Sequence, residues 1–138
     1  MEKYVFSEPI RCEYRKMFNI KEEAICIGTV GRLTQQKNQK FLIKIFYDLV
    51  MNSDKDYKLI IVGTGEEKNN LVKLIEELKI NDKVLFLENR TDVGKIMQMF
   101  DIFILTSLYE GLPVVGVEAQ ASDLPCVFSN TIDAKIKI

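Results

Sequence analysis

Five short runs rich in β-branched and aliphatic residues punctuate this chain: AICIGTVG, KLIIVGTG, KVLFL, DIFILTS and LPCVFS. Between them, apolar residues recur at helical spacing. Phe41, Leu42, Ile45, Phe46, Leu49 and Val50 share one helical face, Leu71, Leu74, Ile75 and Leu78 a second, and Val93, Ile96, Met97 and Phe100 a third. A strand that is apolar at nearly every position has to be covered on both sides, and amphipathic helices between such strands supply the cover. The expected fold is therefore α/β, a Rossmann-like parallel sheet of about five strands with helices on both faces. Thr64 and Glu67 stand at the spacing of a capping box before the second helix. Pro113 reads as the start of a later helix, where its missing N–H would have no intrahelical partner anyway.

With 138 residues the chain suffices for one domain with its own core and is short for two. Residues 1–20 are more polar, with a short helical candidate at 11–18, and read as a lead-in segment. Residues 21–138 form the domain. The charges nearly cancel, at a net of −1, and no basic stripe marks a nucleic-acid partner. Hydrophobic residues make up 47% of the chain, yet no run reaches membrane-spanning length and no signal peptide opens it, so a cytoplasmic protein is expected. Cys12, Cys26 and Cys126 lack metal-type spacing and are expected to be reduced core thiols. The absence of histidine removes the commonest general base and metal ligand.

In an open α/β sheet, ligands bind beyond the carboxyl ends of the strands, so chemistry is sought in the outgoing loops GRLTQQKN, GTGEEKN, ENRTDV and SLYEGLP. Gly31 permits close backbone approach. Arg32 and Lys37 place two cations beside a helix start that itself favours anions. Gly111 and Leu112 precede the proline-led helix, where outward N–H groups would form a second anion site. Glu118 falls inside that helix among apolar residues, where an ionised carboxylate is costly unless it is paired or hydrogen-bonded. Residue types leave open whether that partner is structural or a ligand.

Rival motifs fail on context. GTGEEK lacks the third glycine of a dinucleotide fingerprint and does not follow the first strand. Asp54 and Asp56 precede a strand, at the wrong end for a ligand site, and read as a polar turn. Asp101 opens its strand, which argues against a phospho-receiver.

With these loops in view, the chain resembles, over residues 25–131, the C-terminal donor-binding domain of retaining glycosyltransferases of the GT-B fold, glycosyltransferase family 4 (group 1). GRLTQQKN matches the family's Arg and Lys pair, LIIVGTGEE its second strand and glycine loop, and VLFLENRTDV the strand and turn against the nucleotide base. EGLPVVGVE matches its paired glutamates separated by seven residues. The resemblance points towards bacterial capsular or exopolysaccharide enzymes.

It implies a donor substrate, a nucleoside diphosphate sugar, with no metal or other cofactor. Glu110 would contact the sugar being transferred and Glu118 the ribose hydroxyls. Arg32 and Lys37 would neutralise the diphosphate, with N–H groups around Gly31, Gly65, Gly111 and Leu112 close by. The base would rest near 90–93, mainly on backbone groups, with Arg90 at the edge. The resemblance also implies a separate N-terminal acceptor domain and a full-length enzyme that can sit on the inner face of the plasma membrane. On this reading the chain is a truncated piece that binds donor without transferring sugar. Two other readings of the same fold stay open: a non-catalytic nucleotide- or partner-binding module, and a sugar-nucleotide epimerase.

Overall fold

The structure is a computed structural model, and it describes residues 7–105 and 126–128. Elements follow in the order α1 (Glu8–Met17), β1 (Ile25–Val30), α2 (Gln39–Met51), β2 (Tyr57–Val62), α3 (Lys68–Glu77), β3 (Val84–Leu87), α4 (Val93–Ile96), β4 (Ile102–Leu105) and β5 (Cys126–Phe128). Single 3-10 turns at Asn81–Lys83 and Met97–Met99 lead into β3 and β4. All strand pairings are parallel, in the order β3-β2-β1-β4-β5. The expected parallel sheet with helices on both faces is present.

Strand alternation divides the core into two layers. Leu59 and Ile61 of β2 pack with Leu42, Ile43, Phe46, Leu71 and Ile75 beneath α2 and α3. Ile60 and Val62 point the other way, into a cluster with Tyr14, Ile96, Met97, Met99 and Phe100. On α2 the buried face is Leu42, Ile43 and Phe46, while Phe41 is half exposed at 50%. The expected face is thus rotated, with Ile43 taking the inward place given to Phe41. Gly28 in the middle of β1 is a packing requirement, since a Cβ there would lie 2.2 Å from the Phe100 ring. That ring lies tilted against Phe103 of the neighbouring strand β4.

Where the sequence suggests a lead-in at residues 1–20, the described part of that segment is bonded into the domain. Helix α1 starts earlier than expected because the Ser7 hydroxyl accepts from the Ile10 N–H at 3.4 Å and Pro9 follows in the first turn. Arg15, only 4% exposed, donates to the carbonyls of Lys21, Glu22, Ala24 and Met99 and to Asp101 at 2.8 Å. Arg11 donates to the other Asp101 oxygen at 2.6 Å, and the Cys26 N–H donates to the same carboxylate at 2.8 Å. Burial alone would raise the Asp101 pKa, but the Cys26 N–H and the two guanidinium groups outweigh it and hold the carboxyl below its ordinary range. Cys26 is buried on β1 and its thiol is pushed up to about 12, chiefly by burial. Cys12, expected in the core, is exposed on α1.

Candidate functional site

Strand order reverses between β1 and β4: from β1 the chain winds outward through β2 to β3, then returns to β4 on the other side. Such a switch point leaves a crevice at the carboxyl ends of the two central strands, because their outgoing loops diverge to opposite faces. The loop leaving β1 begins with Gly31 and Arg32. Glu110, Gly111, Leu112 and Glu118 lie outside the described residues, as does the expected helix after Pro113. The other candidates are all described.

Three loops are knitted together beyond the strand ends, continuing the ladder of the sheet. Gly31 N–H donates to Val62 O at 2.9 Å, Leu33 N–H to Thr64 O at 2.9 Å, Glu67 N–H to Leu33 O at 3.0 Å and Gly63 N–H to Leu87 O at 2.9 Å. Contact this close excludes side chains. A Cβ on Gly63, which has φ +146°, would sit 1.9 Å from Gly31 O, and one on Gly65 would sit 2.3 Å from Leu33 O. Gly65, expected at the ligand, is therefore explained by loop packing before any ligand is considered. At Gly31 a Cβ would meet, among the described residues, only the Lys37 stem, at 3.8 Å.

The expected capping box is not made. Thr64 lends its carbonyl to Leu33, and α3 starts three residues later, with Glu67 at its cap position making no side-chain cap bond. The Glu67 carboxylate accepts from Asn70 instead, at 2.7 Å.

Leu33, fully buried beneath α2 and α3, anchors the first loop and leaves its neighbour Arg32 exposed. The Arg32 guanidinium makes no hydrogen bond or ion pair among the described residues. Its carbonyl accepts from Gln39 Nε2 at 2.8 Å. Gln39 is 4% exposed, and its Oε1 has no partner among the described residues. Lys37 is half-buried, with its N–H donating to Thr34 Oγ1 at 3.3 Å, and Asn38 turns through the left-handed region at φ 57° to start α2. Arg32 and Lys37 thus share one loop on the carboxyl edge of the sheet.

Arg90 is differently placed. Its guanidinium is forked onto Asp92, with Nε donating to Oδ1 at 2.9 Å and a terminal nitrogen to Oδ2 at 2.7 Å, and it lies 5.7 Å from the centre of the Phe18 ring. The Tyr14 hydroxyl donates to the same Oδ2 at 2.6 Å. Asp92 is held well below the usual carboxylate range, first by the Arg90 bond, while burial and then Asp92 push Tyr14 up to about 12. Sequence reasoning also missed Lys68, which pairs with Glu88 at the end of β3 and lies over the Phe86 ring. Nothing local announces the pairings of Tyr14 with Asp92 and of Lys68 with Glu88, whose members stand 78 and 20 residues apart. Among the described residues there is no acidic, histidine or cysteine cluster suited to a metal ion, and no helix long and apolar enough to cross a membrane.

Comparison with known proteins bears on this arrangement. The chain is 37% identical over 117 residues to EpsF of Bacillus subtilis (strain 168), named as a glycosyltransferase, and 34% identical over 117 residues to the Escherichia coli UDP-Gal:alpha-D-GlcNAc-diphosphoundecaprenol alpha-1,3-galactosyltransferase. These alignments cover 85% and 83% of this chain but 30% of each relative, so the chain spans about a third of their length. Among solved structures, Anabaena Alr3699/HepE in complex with UDP-glucose superposes with a TM-score of 0.85 at 25% identity, covering 96% of this chain and 37% of that one. WaaG, a glycosyltransferase involved in lipopolysaccharide biosynthesis, superposes with a TM-score of 0.78 at 24% identity, covering 91% and 34%, and shares the fold. Residues 11–134 match the family described as Glycosyl transferases group 1. On a match of that extent, the chain belongs to the group 1 glycosyl transferases.

Proposed function

We propose that this chain is the donor-binding part of a retaining glycosyltransferase of family 4, which moves a sugar from a nucleoside diphosphate sugar to a glycan or lipid-linked acceptor in bacterial polysaccharide synthesis. One observation carries the reading. Of the chain's four arginines, Arg11, Arg15 and Arg90 are bonded to carboxylates, whereas Arg32 has no such partner among the described residues and stands at the carboxyl end of β1, beside the switch point. A cation held there by a buried neighbour is suited to a diphosphate. The UDP-glucose in the Anabaena structure and the UDP-galactose in the Escherichia coli relative's name make a uridine nucleotide the first donor to try.

In this mechanism, breaking the glycosidic bond leaves negative charge on the diphosphate, and Arg32 and Lys37 offset it as it develops. Glu110 contacts the sugar, Glu118 the ribose, and the N–H groups of Gly111 and Leu112 add neutral donors. No metal is needed. Arg32 is exposed in this chain, so its attraction for the phosphates is screened until water is excluded from the cleft. Holding the acceptor hydroxyl in line supplies roughly 7–11 kcal/mol of the barrier reduction, and we assign that task to parts of the enzyme beyond this chain. The chain by itself then binds donor without transferring sugar.

Titration with UDP and with uridine tests the phosphate role. Each charge-assisted contact is worth roughly 1.5–3 kcal/mol, so Arg32→Ala or Lys37→Ala is expected to weaken UDP by about 10- to 100-fold while changing uridine little. Equal losses for both ligands would remove the phosphate role. Product analysis of a longer protein with a UDP-sugar separates transfer, which requires an acceptor, from epimerisation, which does not.

A further inference from the structure

We infer that Tyr14 and Asp92 are positioning residues for nucleobase selection: helix α1, through Tyr14, sets the shape of the 88–92 loop on which the base of the donor rests. The inference rests on the donor-binding reading above and adds to it a role for two side chains that act through the loop's backbone and not on the ligand.

The 88–92 loop leaves the carboxyl end of β3, on the ligand side of the sheet. Its peptide groups are unengaged: those of Asn89, Arg90 and Thr91 neither donate nor accept a backbone hydrogen bond among the described residues. Such a segment, with no ladder or helix to define it, has many accessible conformations and is costly to order on binding. Three features restrain it instead. Asn89 occupies the left-handed region at φ 53°. The Arg90 fork draws residues 90 and 92 together. Asp92 in turn is fixed from outside by the Tyr14 hydroxyl, while the Phe18 ring lies beside the guanidinium.

Asp92 also forgoes a common role to make this clamp. It occupies the cap position of α4, where an aspartate usually accepts from the next N–H groups, yet its side chain makes no cap bond. The N–H groups of Lys95 and Ile96 bond its carbonyl instead, at 3.0 Å each. Both carboxylate oxygens are thereby directed to Arg90 and Tyr14. The result is a loop whose free N–H and C=O groups are held in one array, as reading the edge of a base requires, since discrimination depends on donors and acceptors that do not rearrange to suit the wrong partner.

The readout is a ratio, which a purely structural role leaves unchanged. The wild-type protein, Tyr14→Phe and Asp92→Asn are titrated with UDP, GDP and inorganic pyrophosphate, alongside Ile43→Val, a core variant on the opposite face of the sheet. Tyr14→Phe is expected to weaken UDP three- to tenfold and to narrow the preference between UDP and GDP, with pyrophosphate changed less than twofold. Asp92→Asn is expected to go further in the same direction, and Ile43→Val to leave every ratio as in wild type. Should Asp92→Asn fail to fold, Tyr14→Phe, which removes one hydroxyl, decides alone. Unchanged ratios in Tyr14→Phe would overturn the inference while leaving the donor-binding reading intact. A wild-type protein that binds neither nucleotide would overturn both.

Discussion

The two edges of the sheet handle charge in opposite ways. At the amino edge, Arg11, Arg15 and Asp101 satisfy one another, and Arg15 also fills its remaining N–H groups with backbone carbonyls. At the carboxyl edge, among the described residues, Arg32 stands exposed with no carboxylate partner, a buried Gln39 oxygen goes unbonded, and the peptide groups of 89–91 make no backbone hydrogen bond. The first arrangement stabilises a fold. The second leaves a cation and several polar groups without a partner among the described residues. Where a charge has its partners within the chain, its removal damages the protein, and where it has none, its removal damages only what the protein does.

Four experiments probe that contrast, ordered by expected effect on stability. The largest loss is expected from Arg15→Ala at the amino edge. It leaves several buried carbonyls and part of Asp101 without donors, and breaking a buried pair of this kind costs about 3–5 kcal/mol, measurable by urea denaturation. Gly63→Ala comes next, at roughly 1–3 kcal/mol, because its methyl would press on Gly31 O and part the knitted loops. A stability equal to wild type would show that those loops yield freely.

The third experiment is a pH series. The Asp101 pKa is lowered in the folded protein, so its contribution is fully present above the unfolded-state value and declines as pH falls through the folded one. Stability should hold between pH 7 and about 5 and fall in acid below roughly pH 4. The acid limb should be shallower in Asp101→Asn, which starts from a lower plateau. The smallest stability change is expected for Arg32→Ala, within about 0.5 kcal/mol, in the same variant that loses UDP binding. If that variant unfolded as readily as Arg15→Ala, the contrast between the edges would collapse.

Much of this was legible beforehand. Continuous apolar runs announced strands covered on both faces, and the loops at their carboxyl ends were identifiable because a parallel α/β sheet leaves few alternatives. The site was legible less evenly. Arg32 and Lys37 share one loop, as a motif within eight residues suggests. Arg90 lies in the loop leaving β3, and the fork of its guanidinium onto Asp92 was not read from the chain, although the two stand only two residues apart. Gly65 is ambiguous in another way, since a glycine required by the backbone of Leu33 and one required by a ligand leave the same letter in the chain. The Thr64 capping box failed because the Glu67 N–H that its hydroxyl would accept from donates to Leu33 O in a different loop.

The sequence by itself determined the order of strands and helices, the two-sided burial of the sheet and which loops leave the carboxyl ends of its strands. Periodicity and turn chemistry are local, and each of these follows from patterns a few residues long. Tertiary structure decided which face of α2 turns inward, that α1 belongs to the domain, and which charged side chains are engaged. Those outcomes depend on partners brought together across the chain, as Tyr14 is with Asp92 and Arg11 with Asp101, 78 and 90 residues away. The guanidinium groups of Arg11 and Arg15 are engaged by a carboxylate that only the fold sets beside them, and no local pattern encodes that neighbour.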